Sequence, residues 1–186
     1  MSRIGKIPVE IPSGVDVTVS GPNVTVKGPK GSLVQSLVPE VSMIVEGSPK
    51  RVVVERTGET NRHKAMHGLY RTLVRNMIVG VTKGYEKRLY VQGTGYRAEL
   101  KGKTLSLQVG FANNVVVECP SGIEFETPKS TVRDAVEVVV RGIDKQLVGE
   151  MAARIRRVRP CDPYKAKGIR YSDEVVRRLE GKSMGA

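Results

Sequence analysis

Few residues in this chain could do chemistry, and each pattern they form makes a demand on its surroundings. Gly93-Thr94-Gly95-Tyr96-Arg97-Ala98 matches the Gly-x-Gly-x-x-Ala turn of dinucleotide-binding proteins and follows an alternating apolar run. That chemistry requires a helix next, with its amino terminus facing the pyrophosphate. Tyr96 to Leu100 instead alternates and runs into a second turn, so the glycines read as a turn between strands. Gly102-Lys103-Thr104 and Gly181-Lys182-Ser183 resemble the end of a phosphate loop. The glycine needed five residues earlier is Arg97 in one case and Val176 in the other. His63 and His67 stand four apart on a helical pattern, where side chains are neighbours and could share a metal ion. No glutamate lies between them, and the two read as an exposed polar face. Both histidines sit on one helix with no Gly-x-Ser-x-Gly motif nearby, so no Ser/His/Asp set converges. Cys119 and Cys161 are 42 positions apart with no second cysteine beside either, which suits buried thiols in a reducing compartment rather than a disulfide framework or a zinc site. No cofactor, metal or small-molecule substrate is expected.

The most informative stretch is Arg154-Ile155-Arg156-Arg157-Val158-Arg159-Pro160-Cys161-Asp162-Pro163-Tyr164-Lys165-Ala166-Lys167-Gly168-Ile169-Arg170-Tyr171. Its cations suit phosphate groups, and its tyrosines can pack or stack. Pro160 and Pro163 end the preceding helix and forbid its restart, which predicts an extended tail with Tyr164, Lys165, Lys167, Arg170 and Tyr171 spread along it. A charge run is usually a solvated face; the tyrosines and glycine within this one favour a partner.

The elements that must position this stretch follow from periodicity. Valine occurs 30 times and glycine 20 times, and most valines fall in short alternating runs broken by turns. Val15, Val17 and Val19, then Val24 and Val26, alternate around Ser20-Gly21-Pro22-Asn23, and Gly28-Pro29-Lys30-Gly31 turns the chain again. Met43 to Val45 and Val52 to Glu55 add strands. Met66, Leu69, Leu73 and Met77 then recur at helical spacing, which predicts a helix from near Thr60 that stops before Gly80. The second half repeats this order. Lys87 to Gln92, Tyr96 to Leu100, Thr104 to Val109, Val115 to Glu118, Ile123 to Glu126 and Val136 to Val140 read as strands. A helix capped by Asp144, with the stripe Leu147, Val148, Met151, Ile155 and Val158, ends at Pro160. The fold class is therefore α+β: two tandem duplicated small domains, each a mainly antiparallel sheet packed on one helix. Residues 1–82, with an extended arm over 1–14, form the first. Residues 83–186, with a basic tail over 159–186, form the second.

Net charge is +12, and its distribution favours a polyanion over most enzyme substrates. Residues 154–186 carry ten basic and four acidic residues, whereas 86–153 carry nine of each. Only eight aromatic residues exist, too few for a base-stacking platform, and the charge is not gathered on one recognition helix. Folded RNA read through backbone and shape fits better than single strands or a DNA major groove. No run approaches the roughly 18 apolar residues a spanning helix needs, and the first residues lack the apolar core of a signal peptide. The expected location is cytoplasmic, with no membrane partner.

At these same residues the chain resembles a known family, that of the sixth protein of the bacterial large ribosomal subunit. The resemblance runs from Ser2-Arg3-Ile4-Gly5-Lys6 and Pro8, through Asn76-Met77, Val79-Gly80-Val81-Thr82-Lys83-Gly84-Tyr85 and Gly95-Tyr96-Arg97-Ala98, to Pro163-Tyr164-Lys165-Ala166-Lys167-Gly168-Ile169-Arg170-Tyr171, the family's signature. It implies two similar α+β domains, with the second docked on large-subunit ribosomal RNA near the sarcin-ricin region at the base of the stalk, and with ribosomal proteins as neighbours. Pro160-Cys161-Asp162 stands where Pro-Pro-Glu is expected, and both prolines remain. Asn113-Asn114 stands where many members carry His-Pro, so that loop is left out of the candidate site.

The leading expectation is a structural RNA-binding protein without catalysis. Arg3 and Lys6 would anchor the amino-terminal arm. Arg154, Arg157 and Arg159 would act at the helix end, and Lys165, Lys167, Arg170 and Arg177 along the tail. Gly168 would permit close backbone approach to RNA, while Tyr164 and Tyr171 would pack beside it. A free RNA chaperone is the runner-up, and a carboxylate enzyme built on Asp162 and Asp173 a distant third.

Overall fold

A computed structural model describes residues 4–47, 50–128, 130, 132 and 134–181. The chain divides into two compact units, Met1–Tyr85 with Ile143–Lys145, and Glu86–Gly142 with Gln146–Ala186.

In the first unit, strands β1 (Val9–Glu10), β5 (Val41–Gly47) and β6 (Lys50–Arg56) form one sheet in the order β1-β6-β5. Strands β2 (Asp16–Ser20), β3 (Asn23–Gly28) and β4 (Gly31–Ser36) form a meander in chain order. Alternation explains the pairing. Val24 and Val26 are fully buried while Asn23 and Lys27 are exposed, and Val26 stands opposite Val17 and Leu33. Helix α1 (Asn61–Thr82) lays Tyr70, Val74, Met77, Ile78 and Val81 against these strands. Thr60 caps it by accepting a hydrogen bond from the His63 N–H, which satisfies one amide that the first turn leaves without a helical partner.

The helix does not stop before Gly80, as its residue type suggests. A Cβ at position 80 would lie 2.0 Å from the carbonyl oxygen of Ile143, so the glycine serves close packing inside the helix rather than its termination. His67 departs from the expected polar face in the same way. It is buried, with Nε2 2.9 Å from the Val54 carbonyl oxygen, and it faces the core together with Tyr70 and Val74.

The second unit contains β7 (Tyr85–Gln92), β8 (Arg97–Lys101), β9 (Thr104–Gln108), β10 (Val115–Glu118), β11 (Ile123–Glu126), β12 (Ala135–Gly142), α2 (Lys145–Val158) and β13 (Gly168–Tyr171). Strands β8, β9 and β10 form a three-stranded antiparallel sheet, and a four-stranded sheet has the order β11-β12-β7-β13. The α+β duplication is borne out, with two sheets in each unit rather than one. Leu89, Val91, Leu105, Leu107, Ile155 and Ile169 are fully buried. Each removes a large side chain from water, worth about 1.5–3 kcal/mol apiece. Gly93-Thr94-Gly95-Tyr96 is the turn between β7 and β8, as the failed dinucleotide motif required.

Part of the extended basic tail is strand β13. Ile169 pairs with Val91 and Tyr171 with Leu89, so the signature's last four residues are part of the sheet. A run of four residues between a proline-rich loop and an irregular tail carries too little alternation to be read as a strand, and its partner lies about 80 positions away.

Candidate nucleic-acid interface

The candidate residues of the second unit lie on the end of α2, the loop that follows it, β13 and the segment after it. The buried stripe Val148, Met151, Ala152 and Ile155 fixes the rotation of α2, and this leaves Arg154 and Arg157, three residues apart, on its exposed face. Where the helix ends, the Arg159 carbonyl accepts a hydrogen bond from the Ile169 N–H at 2.8 Å, and Pro160 forms a parallel bridge to Ile169. The edge of β13 is thus covered by a proline, which has no N–H to offer another strand.

Between these two ties, residues 161–167 close into a compact loop. The Asp162 N–H donates to the Lys167 carbonyl at 2.8 Å, the Ala166 N–H to the Asp162 carbonyl at 2.9 Å, and the Lys165 N–H to Asp162 Oδ2 at 2.9 Å. Ala166 takes a left-handed conformation with φ 56°, and its side chain is buried. Tyr164, Lys165 and Lys167 are exposed as a result. Lys167 Nζ donates to Thr94 Oγ1 at 3.1 Å, which brings the β7–β8 turn beside the loop. The Leu179 N–H donates to the Pro163 carbonyl at 3.0 Å and ties the irregular segment carrying exposed Arg177 to the same place.

The sequence-predicted residues therefore fall into groups. Arg154, Arg157, Tyr164, Lys165, Lys167 and Arg177 are exposed, and none of their cations forms an ion pair with a described residue. Arg159 is half-buried, with its guanidinium carbon 5.1 Å from the Phe111 ring centroid. Arg170 is turned inward: it reaches the Glu174 carbonyl at 3.3 Å and lies over Tyr90. The Tyr171 ring is covered by Lys87 and Arg156 at 5.5 and 5.7 Å, so it packs inside the unit rather than beside a partner. Lys6 is exposed on a turn of the first unit, and Arg3 lies outside the described residues.

Gly168 requires a correction. It is buried with φ 139°, and a Cβ there would meet the Pro160 carbonyl oxygen at 2.5 Å and the Cys161 Cα at 2.6 Å. The close backbone approach that needs a glycine is made by the protein's own chain, not by RNA.

Acidic residues pair with several other cations of the unit, while Arg97, Lys101, Lys103 and Arg178 are exposed with no ion pair to a described residue. Arg141 pairs with Glu86 at 2.7 Å and with Glu126 at 2.5 Å, and Arg88 pairs with Glu86 at 2.5 Å and with the buried Glu137 at 3.6 Å. Arg156 forms a two-pronged pair with Glu174, with Nε to Oε2 at 2.9 Å. These hydrogen bonds from Arg156 hold the Glu174 carboxyl below its ordinary value, with a smaller contribution from the Tyr171 N–H. Arg156 belongs to the same basic run but not to the candidate residues, and the structure pairs it with Glu174. The structure also adds two residues that the sequence did not single out for this site, Thr94 and Glu174. Thr94 meets Lys167 across 73 positions and Glu174 meets Arg156 across 18, separations that no helical or strand spacing marks.

Among the described residues, no group of three or more His, Cys, Asp and Glu side chains could hold a metal ion, and no helix is long and apolar enough to cross a membrane. Burial pushes the Cys119 and Cys161 thiols up from their ordinary range.

Comparison with known proteins is consistent with this geometry. The family model described as ribosomal protein L6 matches residues 11–84 and 92–172, two segments that correspond to the duplicated halves. A large ribosomal subunit protein uL6 from Phenylobacterium zucineum is 55% identical over 182 residues, 98% of this chain and 99% of the relative. The same-named proteins of Caldicellulosiruptor saccharolyticus and Carboxydothermus hydrogenoformans are 54% and 51% identical, covering 98% and 100% of this chain and 97% and 98% of theirs.

Proposed function

The chain belongs to the ribosomal protein L6 family, and from that premise we propose that it binds large-subunit ribosomal RNA through the cationic edge of its second unit. Membership makes it a structural, non-enzymatic constituent of the large ribosomal subunit, and ribonucleoprotein assembly and translation follow from that. The observation that carries the finer reading is the gathering of unpaired cations at the end of α2 and in the loop and segment that follow it. Arg88, Arg141 and Arg156 are spent on internal acids, whereas Arg154, Arg157, Lys165, Lys167 and Arg177 are exposed without an ion pair to a described residue. Phosphate oxygens are the complementary partner, since neutralising them releases condensed counterions.

In this reading the protein stabilises the tertiary fold of the RNA where segments meet. The family resemblance puts that place near the sarcin-ricin region and the stalk base, with other large-subunit proteins as neighbours. Lys6 and Arg3 would add contacts from the amino-terminal arm. The signature's later residues act indirectly: Arg170 and Tyr171 build the sheet edge on which the exposed cations stand. Cosedimentation with large subunits through a high-salt wash tests the reading against a free chaperone. Retention at one copy per subunit is expected, and complete release into the supernatant would overturn it.

A further inference from the structure

Asp162 sits in the middle of the cationic loop, where a negative charge should oppose RNA binding, yet its hydrogen bonds point the other way. Its carboxylate oxygen Oδ2 accepts from the Lys165 N–H at 2.9 Å, its carbonyl accepts from the Ala166 N–H at 2.9 Å, and its own N–H donates to the Lys167 carbonyl at 2.8 Å. A short polar side chain that accepts from a backbone N–H three residues on is the standard device for fixing a turn. Here it closes the turn that carries Tyr164, Lys165 and Lys167. The conformation needs such closure, because Ala166 is held at φ 56°, which a non-glycine residue adopts at a cost.

We propose that Asp162 is a positioning residue for RNA binding: its side-chain acceptor holds Tyr164, Lys165 and Lys167 in one presented geometry, so that this acid strengthens binding despite its charge. The inference rests on the loop's facing RNA, as proposed above. Two opposed effects act at this position. Asp162 is half-buried rather than enclosed, and Coulomb repulsion from phosphates is screened over about 10 Å at 0.1 M salt. A loop that is loose before binding must instead be ordered during binding, and that cost falls directly on affinity. The second effect outweighs the first, because the carboxylate is already engaged with a backbone N–H and three interface side chains depend on the turn it closes.

The test uses the full-length protein and protein-free, in vitro transcribed large-subunit ribosomal RNA. Asp162→Ala removes the acceptor and the charge; Asp162→Asn removes the charge and keeps an acceptor oxygen. The expected result is that Asp162→Ala weakens binding by about five- to tenfold, the size of one lost side-chain hydrogen bond, while Asp162→Asn binds as well as the parent or better. Amide exchange at Lys165 and Ala166 should accelerate in the alanine variant and not in the asparagine variant. Equal or tighter binding by Asp162→Ala would overturn the proposal, as would equal losses in both variants, since the acceptor would then be irrelevant. The double variant Lys165→Ala/Lys167→Ala separates the two readings. If it binds as the parent does, the loop does not face RNA and the interface assignment fails. If it binds weakly while Asp162→Ala does not, only the positioning role fails.

Discussion

Gly168→Ala distinguishes an intramolecular role for the signature glycine from a role in RNA approach. The backbone at position 168 has φ 139°, a region that L residues rarely enter, and the added methyl would sit 2.5 Å from the Pro160 carbonyl oxygen. Strain of this kind costs about 1–3 kcal/mol, and forcing an extra methyl into a packed site about 1–3 kcal/mol more. Neither neighbour is a flexible side-chain end; both belong to backbone that is tied to β13 through the Arg159 carbonyl. The expected loss is about 2–6 kcal/mol in the second unit, which for a unit of this size lowers the midpoint by roughly 8 °C or more. Far-UV circular dichroism with guanidinium and heat, accompanied by hydrogen exchange read separately on peptides of each unit, measures it. The first unit should keep its protection. A loss below about 0.5 kcal/mol, with RNA binding abolished in a fully folded variant, would refute the reasoning and return the glycine to the RNA interface.

Other outcomes follow from the same structure. Affinity for ribosomal RNA should fall with salt with a log-log slope of roughly 4 to 5, because about six of the candidate cations, Lys6, Arg154, Arg157, Lys165, Lys167 and Arg177, are exposed; a slope near one or two would mean that these cations face solvent. Lys167→Glu should weaken RNA binding more than Lys145→Glu, since Lys167 stands on the presented loop whereas Lys145 reaches Asn76 Oδ1 at 3.4 Å and lies over Tyr85. Equal losses in titrations against the same RNA would show that only net charge counts. Because Arg156 lowers the Glu174 carboxyl in the folded protein from an ordinary value of 4.5, the pair's contribution is complete above that value and is lost as pH falls through the lowered one. The guanidinium midpoint of the second unit should therefore drop below about pH 4.5, and Glu174→Gln should flatten that part of the profile.

Most of the scaffold was legible because its signals are local. Val24 and Val26 alternate with polar residues over a half-buried hairpin, and Tyr70, Val74, Met77 and Val81 mark one helix face whatever they pack against. The features that escaped are those decided across long separations. Gly80 reads as a helix stop until the Ile143 carbonyl is placed against it, and His67 reads as exposed until Val54 supplies its partner. Strand β13 exists because β7 offers an edge, which nothing in Gly-Ile-Arg-Tyr announces. The candidate site divides along the same line. The basic run was visible as composition, and Lys165 and Lys167 are exposed as expected. Arg170, Tyr171 and Gly168 carry the same residue types but spend them on Tyr90, on Lys87 and Arg156, and on the Pro160–Cys161 backbone. The burial of Ile155 and Ile169 has a further consequence. Deleting residues 154–186 would remove part of the second unit's core, so it would test that unit's folding rather than its charge.

In the proposed interface the end of α2 and the loop after it face ribosomal RNA. Ultraviolet cross-linking of large subunits that contain this protein, followed by mass-spectrometric mapping of nucleotide-bearing peptides, tests it most directly. Adducts are expected on peptides spanning Arg157 and the Tyr164 to Lys167 loop, with Tyr171 unmodified beneath Lys87 and Arg156. Adducts on this protein confined to residues outside 154–178, with the loop peptide recovered unmodified, would contradict it.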